Sequence, residues 1–218
     1  MPPRIALIHA GPVSVEPVEL AFQQLWPAAE RVNITDDSLM VDRARTPDLT
    51  QALSDRIVRL AAYGRDLGAN GILFTCSAFG PAIESVQREA KWPVLKPNEA
   101  MFEAALEKGW KIGMIVSFQN SISTMEPEFR ALAKAKGLTA TIRSVCAEGA
   151  LAALQQGDIA GHNAKLAEAA TRLGDCDVIL LAQFSTSRAA GSVQAKVKVP
   201  VLTAPGTAVM KMMRLLGA

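Results

Sequence analysis

Short runs rich in Val, Ile and Leu alternate with longer stretches of helical periodicity from one end of this chain to the other, and that alternation constrains the fold most. Candidate strands cover residues 5–9, 31–34, 71–75, 94–95, 112–116, 141–145, 178–182 and 199–202. Runs this apolar, separated by helices, belong to βαβ units whose parallel sheet is covered on both faces. Eight strands on 218 residues suggest two sets of four. With no Gly/Ser-rich linker to mark a border, the expected lobes are 1–97 and 98–205, with 206–218 packing back on the first.

The helical stretches carry their own punctuation. Leu49, Leu53, Ile57, Leu60 and Leu67 keep to one face of a helix that Gly68 ends. Ser123-Thr124-Met125-Glu126 has the pattern of a capping box, which places Pro127 in the first turn and Gly137 at the stop.

Composition excludes several classes. Half the residues are apolar, so a sizeable core can form. The 23 basic and 21 acidic residues are interspersed and leave a formal net charge of +2, which points to neither nucleic acid nor a membrane surface. Met1-Pro2-Pro3-Arg4 runs straight into a strand without the layout of a signal peptide, and no apolar run approaches the roughly 20 residues of a span. A cytoplasmic protein is expected. Cys76, Cys146 and Cys176 show no CxxC spacing, and His9 and His162 stand far apart, so disulfides, structural zinc and a metal centre are not expected. His9-Ala10-Gly11-Pro12 is neither a GxGxxG nor a Walker loop, which argues against a nucleotide.

The chemistry-bearing residues gather where strands are expected to end. In Phe74-Thr75-Cys76-Ser77-Ala78-Phe79-Gly80-Pro81 a thiol follows an apolar strand and a helix begins shortly after. Backbone N–H groups there, those of Ser77 and Ala78 among them, would favour the thiolate and could hold a carboxylate beside it. The competing reading is a small buried core cysteine. A second strand end, Leu181-Ala182-Gln183-Phe184-Ser185, repeats the first, and if both halves share one strand order the two ends face each other across a cleft. Ser117 and Gln119, after another strand, are placed to donate hydrogen bonds into that cleft; Asn120 and Ser121 suit the following turn equally well. His9 reaches the same edge, although a hydrogen-bonded structural histidine is the simpler role. Asp36 and Asp37 could receive an amino group or start a turn, and Arg188 could pair a carboxylate or be an exposed helix charge. Cys146 and Cys176 lack the setting of Cys76.

Three stretches, Phe74-Thr75-Cys76-Ser77, Lys111-Ile112-Gly113-Met114-Ile115-Val116-Ser117 and Asp177-Val178-Ile179-Leu180-Leu181-Ala182-Gln183, together resemble the aspartate/glutamate racemase superfamily over nearly the whole chain. That superfamily includes aspartate, glutamate and hydantoin racemases, maleate isomerase and arylmalonate decarboxylase. The resemblance implies two pseudo-symmetric α/β lobes, each a four-stranded parallel sheet flanked by helices, with the active site in the cleft between them. It also implies a homo-oligomer, a small carboxylate substrate, no cofactor, and two cysteines that move a proton on opposite faces of a carbon next to the carboxylate.

Cys76 matches the first of those cysteines. At the second position the chain departs from the pattern, with Gln183 there, or Phe184 if the register slips by one, and neither is an acid or base at ordinary pH. The expected site is therefore Cys76 as base or nucleophile, with Ser77, Ala78, Ser117, Gln119, Gln183, Phe184, Ser185 and His9 around the substrate. Three functions stay open: a racemase or isomerase, a decarboxylase or other lyase, and a carboxylate-binding protein without catalysis.

Overall fold

A computed structural model describes residues 1–46 and 48–218. The described residues form two compact units, Met1–Ala100 with Ala208–Ala218, and Met101–Thr207. The first carries β1 (Arg4–His9), α1 (Val15–Leu25), β2 (Glu30–Thr35), α2 (Ser38–Ala44), α3 (Gln51–Asp66), β3 (Gly71–Phe74), α4 (Gly80–Glu89) and β4 (Val94–Leu95). After α5 (Glu99–Leu106) come β5 (Lys111–Val116), α6 (Ile122–Ala135), β6 (Thr141–Cys146), α7 (Ala150–Gln155), α8 (Ile159–Ala170), β7 (Val178–Leu181), α9 (Ala190–Gln194), β8 (Val201–Thr203) and α10 (Ala204–Leu216).

Each unit holds a four-stranded sheet, in the orders β2-β1-β3-β4 and β6-β5-β7-β8, and every pairing is parallel. The two orders are the same order, displaced by four strands, so the repeat read in the sequence is a repeat of topology. Burial follows position in the sheet. The inner strands β3 and β7 are buried at every residue, whereas β2 and β6 expose residues along their length as edge strands do. Gly71 lets the C-terminal helix approach closely: a Cβ there would lie 2.5 Å from Met212 Sδ.

Several boundaries differ from the sequence reading for identifiable reasons. Residues 75 and 182 lie beyond their strands, where the chain turns into 3₁₀ segments. β8 starts at Val201 rather than 199, because Pro200 has no N–H to give a ladder and contributes only its carbonyl, to Ile179 N at 2.9 Å. Thr50 caps α3 by accepting from Leu53 N at 3.3 Å, so Leu49 precedes the helix yet still packs on the core. Gly68 and Gly137 end their helices with φ of +77° and +68°.

The capping box over residues 123–126 does not form. A 3₁₀ turn, Gln119–Ser121, leads into α6, so Ser123 already lies inside the helix and donates to Asn120 O at 2.8 Å. Glu126 instead accepts from Ser144 Oγ at 2.7 Å and pairs with Arg130. Pro127 is consequently an interior helix residue. Among the described residues no helix is long and apolar enough to cross a membrane.

Candidate active site

The hydrogen bonds that end β3 define the setting of Cys76. Thr75 makes the last ladder bond, its N–H donating to Ile8 O at 3.0 Å. Cys76 is still extended, with φ −129° and ψ 124°, and opens the 3₁₀ turn Ser77–Phe79; α4 begins only at Gly80. The thiol is half-buried. Burial pushes its pKa up, and the Ala78 N–H pulls it down by less. The Ala78 N–H acts in the direction expected at a helix start, and burial acts against it. A single 3₁₀ turn offers one amide where a long helix would add its dipole, and no charged side chain among the described residues contributes. Sulfur also meets sulfur here, because Met40 Sδ of α2 lies 3.5 Å from Cys76 Sγ. A thioether accepts weakly from a thiol, which again suits the protonated form.

His9 ends β1 wholly buried, and both ring nitrogens are engaged. Nε2 lies 2.9 Å from Asn33 Oδ1, while Nδ1 lies 2.9 Å from Thr75 Oγ1 and 3.1 Å from Ser14 Oγ. Asn33 Nδ2 donates to Glu19 Oε1 at 2.8 Å, which assigns Asn33 Oδ1 as the acceptor and Nε2 as the protonated ring nitrogen. Nδ1 is then the acceptor, with the hydroxyls of Thr75 and Ser14, 2.8 Å from each other, as its two donors within reach, while Thr75 Oγ1 also lies 3.3 Å from Ile8 O. Burial lowers the His9 pKa, consistent with this neutral ring. The imidazole ties four segments of the carboxyl edge together, the hydrogen-bonded structural role rather than that of a ligand contact.

The second unit repeats the layout with different chemistry. Phe74 pairs with Ile8 and Leu181 with Ile115, so two residues past each central strand stand Cys76 and Gln183, both extended and both opening a 3₁₀ segment. That internal equivalence selects Gln183, and not Phe184, as the counterpart of Cys76. Gln183 Oε1 accepts from Ser117 N at 2.7 Å and Ser117 Oγ at 3.0 Å, and its Nε2 donates to Ser121 Oγ at 3.2 Å. Ser117 is thereby buried and committed within its own unit. Gln119 is exposed, and so is Phe118 between them. Phe184 and Ser185 are buried in the 3₁₀ segment Phe184–Ala189.

The remaining candidates separate cleanly. Asp36 Oδ1 accepts from Ser38 N and Oγ at 3.2 and 2.7 Å, and its Oδ2 pairs with Arg56, which also holds Asp42. Those bonds lower its pKa against the opposing effect of burial and make it a turn residue. Asp37 directly precedes α2 and is exposed. Arg188 is half-buried in its 3₁₀ segment, not an exposed helix charge. Cys146 ends β6, and Cys176 belongs to the second core. Among the described residues no group of three or more His, Cys, Asp or Glu could hold a metal. Sequence reasoning missed Met40, Ser14, Asn33 and Thr75; only Thr75, directly before Cys76, carried a local signal.

Two parallel α/β units of one strand order, with a half-buried thiol two residues past the third strand of the first, define the class. The chain belongs to the Asp/Glu/Hydantoin racemase family, whose model matches residues 15–216. No curated protein matches its sequence. Solved structures share the fold at low identity. A glutamate racemase isoform of Bacillus anthracis is 16% identical with a TM-score of 0.75, covering 99% of this chain and 82% of its own. Allantoin racemase of Klebsiella pneumoniae is 17% identical with a TM-score of 0.74, covering 99% and 88%. A variant of arylmalonate decarboxylase is 18% identical with a TM-score of 0.69, covering 99% and 94%.

Proposed function

We propose that this protein is a cofactor-independent racemase- or isomerase-type enzyme that acts at the carbon next to a carboxylate of a small acid or amino-acid derivative, with Cys76 as its single reacting thiol. The observation that carries this reading is the contrast between equivalent positions. Cys76 lies two residues past β3 with its sulfur near the Ala78 amide, whereas Gln183 lies two residues past β7 with its side chain spent on Ser117 and Ser121. A carboxamide neither gives nor takes a proton at ordinary pH. In this scheme Cys76 gives its proton to solvent water, and the thiolate either removes the α-hydrogen, with water returning a proton to the opposite face of the carbon, or adds to an unsaturated carbon and leaves again after the bond has rotated. The charge that develops on the substrate carboxylate is one that backbone N–H groups are suited to hold.

The amide at Gln183, which leaves one thiol and no second acid or base, favours a second reading, a decarboxylase. There the substrate carbon–carbon bond breaks, carbon dioxide leaves, and the electron pair left on the α-carbon takes the thiol proton. Water then reprotonates the sulfur. One neutral thiol is sufficient for this chemistry.

Small dicarboxylates, amino acids, hydantoins and arylmalonates incubated with enzyme in deuterated water separate the two. Exchange of the α-hydrogen into unreacted substrate marks the isomerase, and carbon dioxide release marks the decarboxylase. A Cys76→Ala protein with undiminished turnover on the substrate so found would overturn both.

A further inference from the structure

Asn98 sits between β4 and α5 at the carboxyl edge of the first sheet. It is only 1% exposed, and neither its amide nitrogen nor its amide oxygen has a protein partner. Among the described residues no other side chain leaves both a buried donor and a buried acceptor unpaired. Such a group costs free energy in a folded protein and calls for an explanation. An asparagine directly before a helix ordinarily spends its oxygen capping that helix; Asn98 does not.

The chain around it is held firmly. Gln87 Nε2 donates to Val94 O at 2.9 Å and to Glu99 Oε2 at 2.8 Å, Lys211 pairs with Glu99 Oε1, and Pro97 fixes the preceding backbone. The unpaired amide is therefore carried on a braced segment. Its register is equally specific. Leu73 of β3 pairs with Leu95 of β4, and three residues after each member of that pair, past the end of its strand, stand Cys76 and Asn98.

We propose that Asn98 is a substrate-recognition residue next to Cys76, whose carboxamide pairs with a ligand group presenting an N–H and a C=O along one edge, namely another carboxamide. A free carboxylate could accept from the nitrogen but would leave the amide oxygen unpaired, so the preferred ligand is a short acid that also bears an amide. This specificity rests on the reading of Cys76 as the reacting thiol.

Thermal unfolding of the full chain tests it, with Asn98→Leu and Asn98→Ala compared with the unsubstituted protein, alone and with malonamate, succinamate, malonate or succinate. A recognition amide that is idle without ligand predicts that Asn98→Leu melts level with the parent or about 2–4 °C above it. The half-amides raise the parent melting temperature more than the diacids do, and both substitutions abolish that preference while Cys76→Ala retains it. Two results overturn the proposal: both Asn98 variants melting several degrees low without ligand, which would show an amide bonded through structural water, or half-amides shifting the parent no more than diacids. Full turnover by Cys76→Ala would instead remove the thiol chemistry and leave the half-amide preference as a separate measurement.

Discussion

Gln183 accepts two hydrogen bonds from one residue, the N–H and the hydroxyl of Ser117, at 2.7 and 3.0 Å. The pair joins the ends of β5 and β7 at the position where the first unit carries Cys76. Replacing Gln183 with Leu strands both Ser117 donors in a buried place. The expected cost is about 1–3 kcal/mol, measured by chemical denaturation. Gln183→Leu combined with Ser117→Ala recovers part of that loss, because the backbone N–H alone is then unpaired; strict additivity of the two substitutions would show that the contact is not coupled.

Cys76 is expected to react late in a pH series. Burial raises its pKa, so the thiolate fraction at neutral pH is below that of a free cysteine and alkylation has its midpoint above the ordinary thiol value. Met40→Ala removes the sulfur that touches it, relieving crowding and deleting a weak acceptor for the S–H. The midpoint then moves down and the rate at pH 7 rises several-fold. Peptide mass spectrometry of alkylated protein separates Cys76 from Cys146 and Cys176.

The buried cluster at His9 predicts an acid-side loss of stability. Its folded pKa lies below 6.5, so the unfolded chain takes up the proton first as pH falls. Stability is full above about pH 6.5 and declines as pH drops towards the folded value. His9→Gln, which cannot take that proton, melts lower at pH 8 but shows a flatter profile between pH 7 and 5. Equal slopes for the two proteins would remove His9 as the titrating group.

Asp177 supplies a different acid response. Its Oδ2 accepts from the N–H groups of Trp110 and Lys111, both at 2.8 Å, and those bonds hold its carboxyl below the usual range. That contribution is present above the unfolded carboxyl value and is lost as pH falls through the lower folded one. Gly109 makes the approach possible, since a Cβ there would come within 2.3 Å of Asp177 Cβ. Asp177→Asn and Gly109→Ala each lower the melting temperature at neutral pH, and the double variant loses less than their sum.

The site was legible in the sequence to the extent that its chemistry sits in a contiguous motif. Cys76 follows a short apolar run, and Gln183 follows its repeat, so a glance along the chain locates both. The protonation state of Cys76 was not legible, because it depends on how much protein surrounds the thiol and on Met40, 36 residues earlier in the chain. The role of His9 was equally hidden. Its partners Ser14, Asn33 and Thr75 come from separate segments, and only Thr75, beside Cys76, is marked by its neighbours in sequence. Ser123 and Glu126 show the opposite error: a local capping pattern was present, and the packing of Glu126 against Ser144 took precedence over it.

By itself the sequence determined the eight strands and the α/β class, since continuous apolar runs flanked by helices can be buried only in a parallel sheet covered on both sides. It also narrowed the position equivalent to Cys76 to Gln183 or Phe184, neither an acid or a base, and the strand register then selected Gln183. Tertiary structure decided which of these groups are free to react. Hydrogen-bond partners and desolvation are set by atoms distant along the chain, and they hold Gln183 on Ser117, lower the pKa of His9, raise that of Cys76 and leave the buried amide of Asn98 without a protein partner.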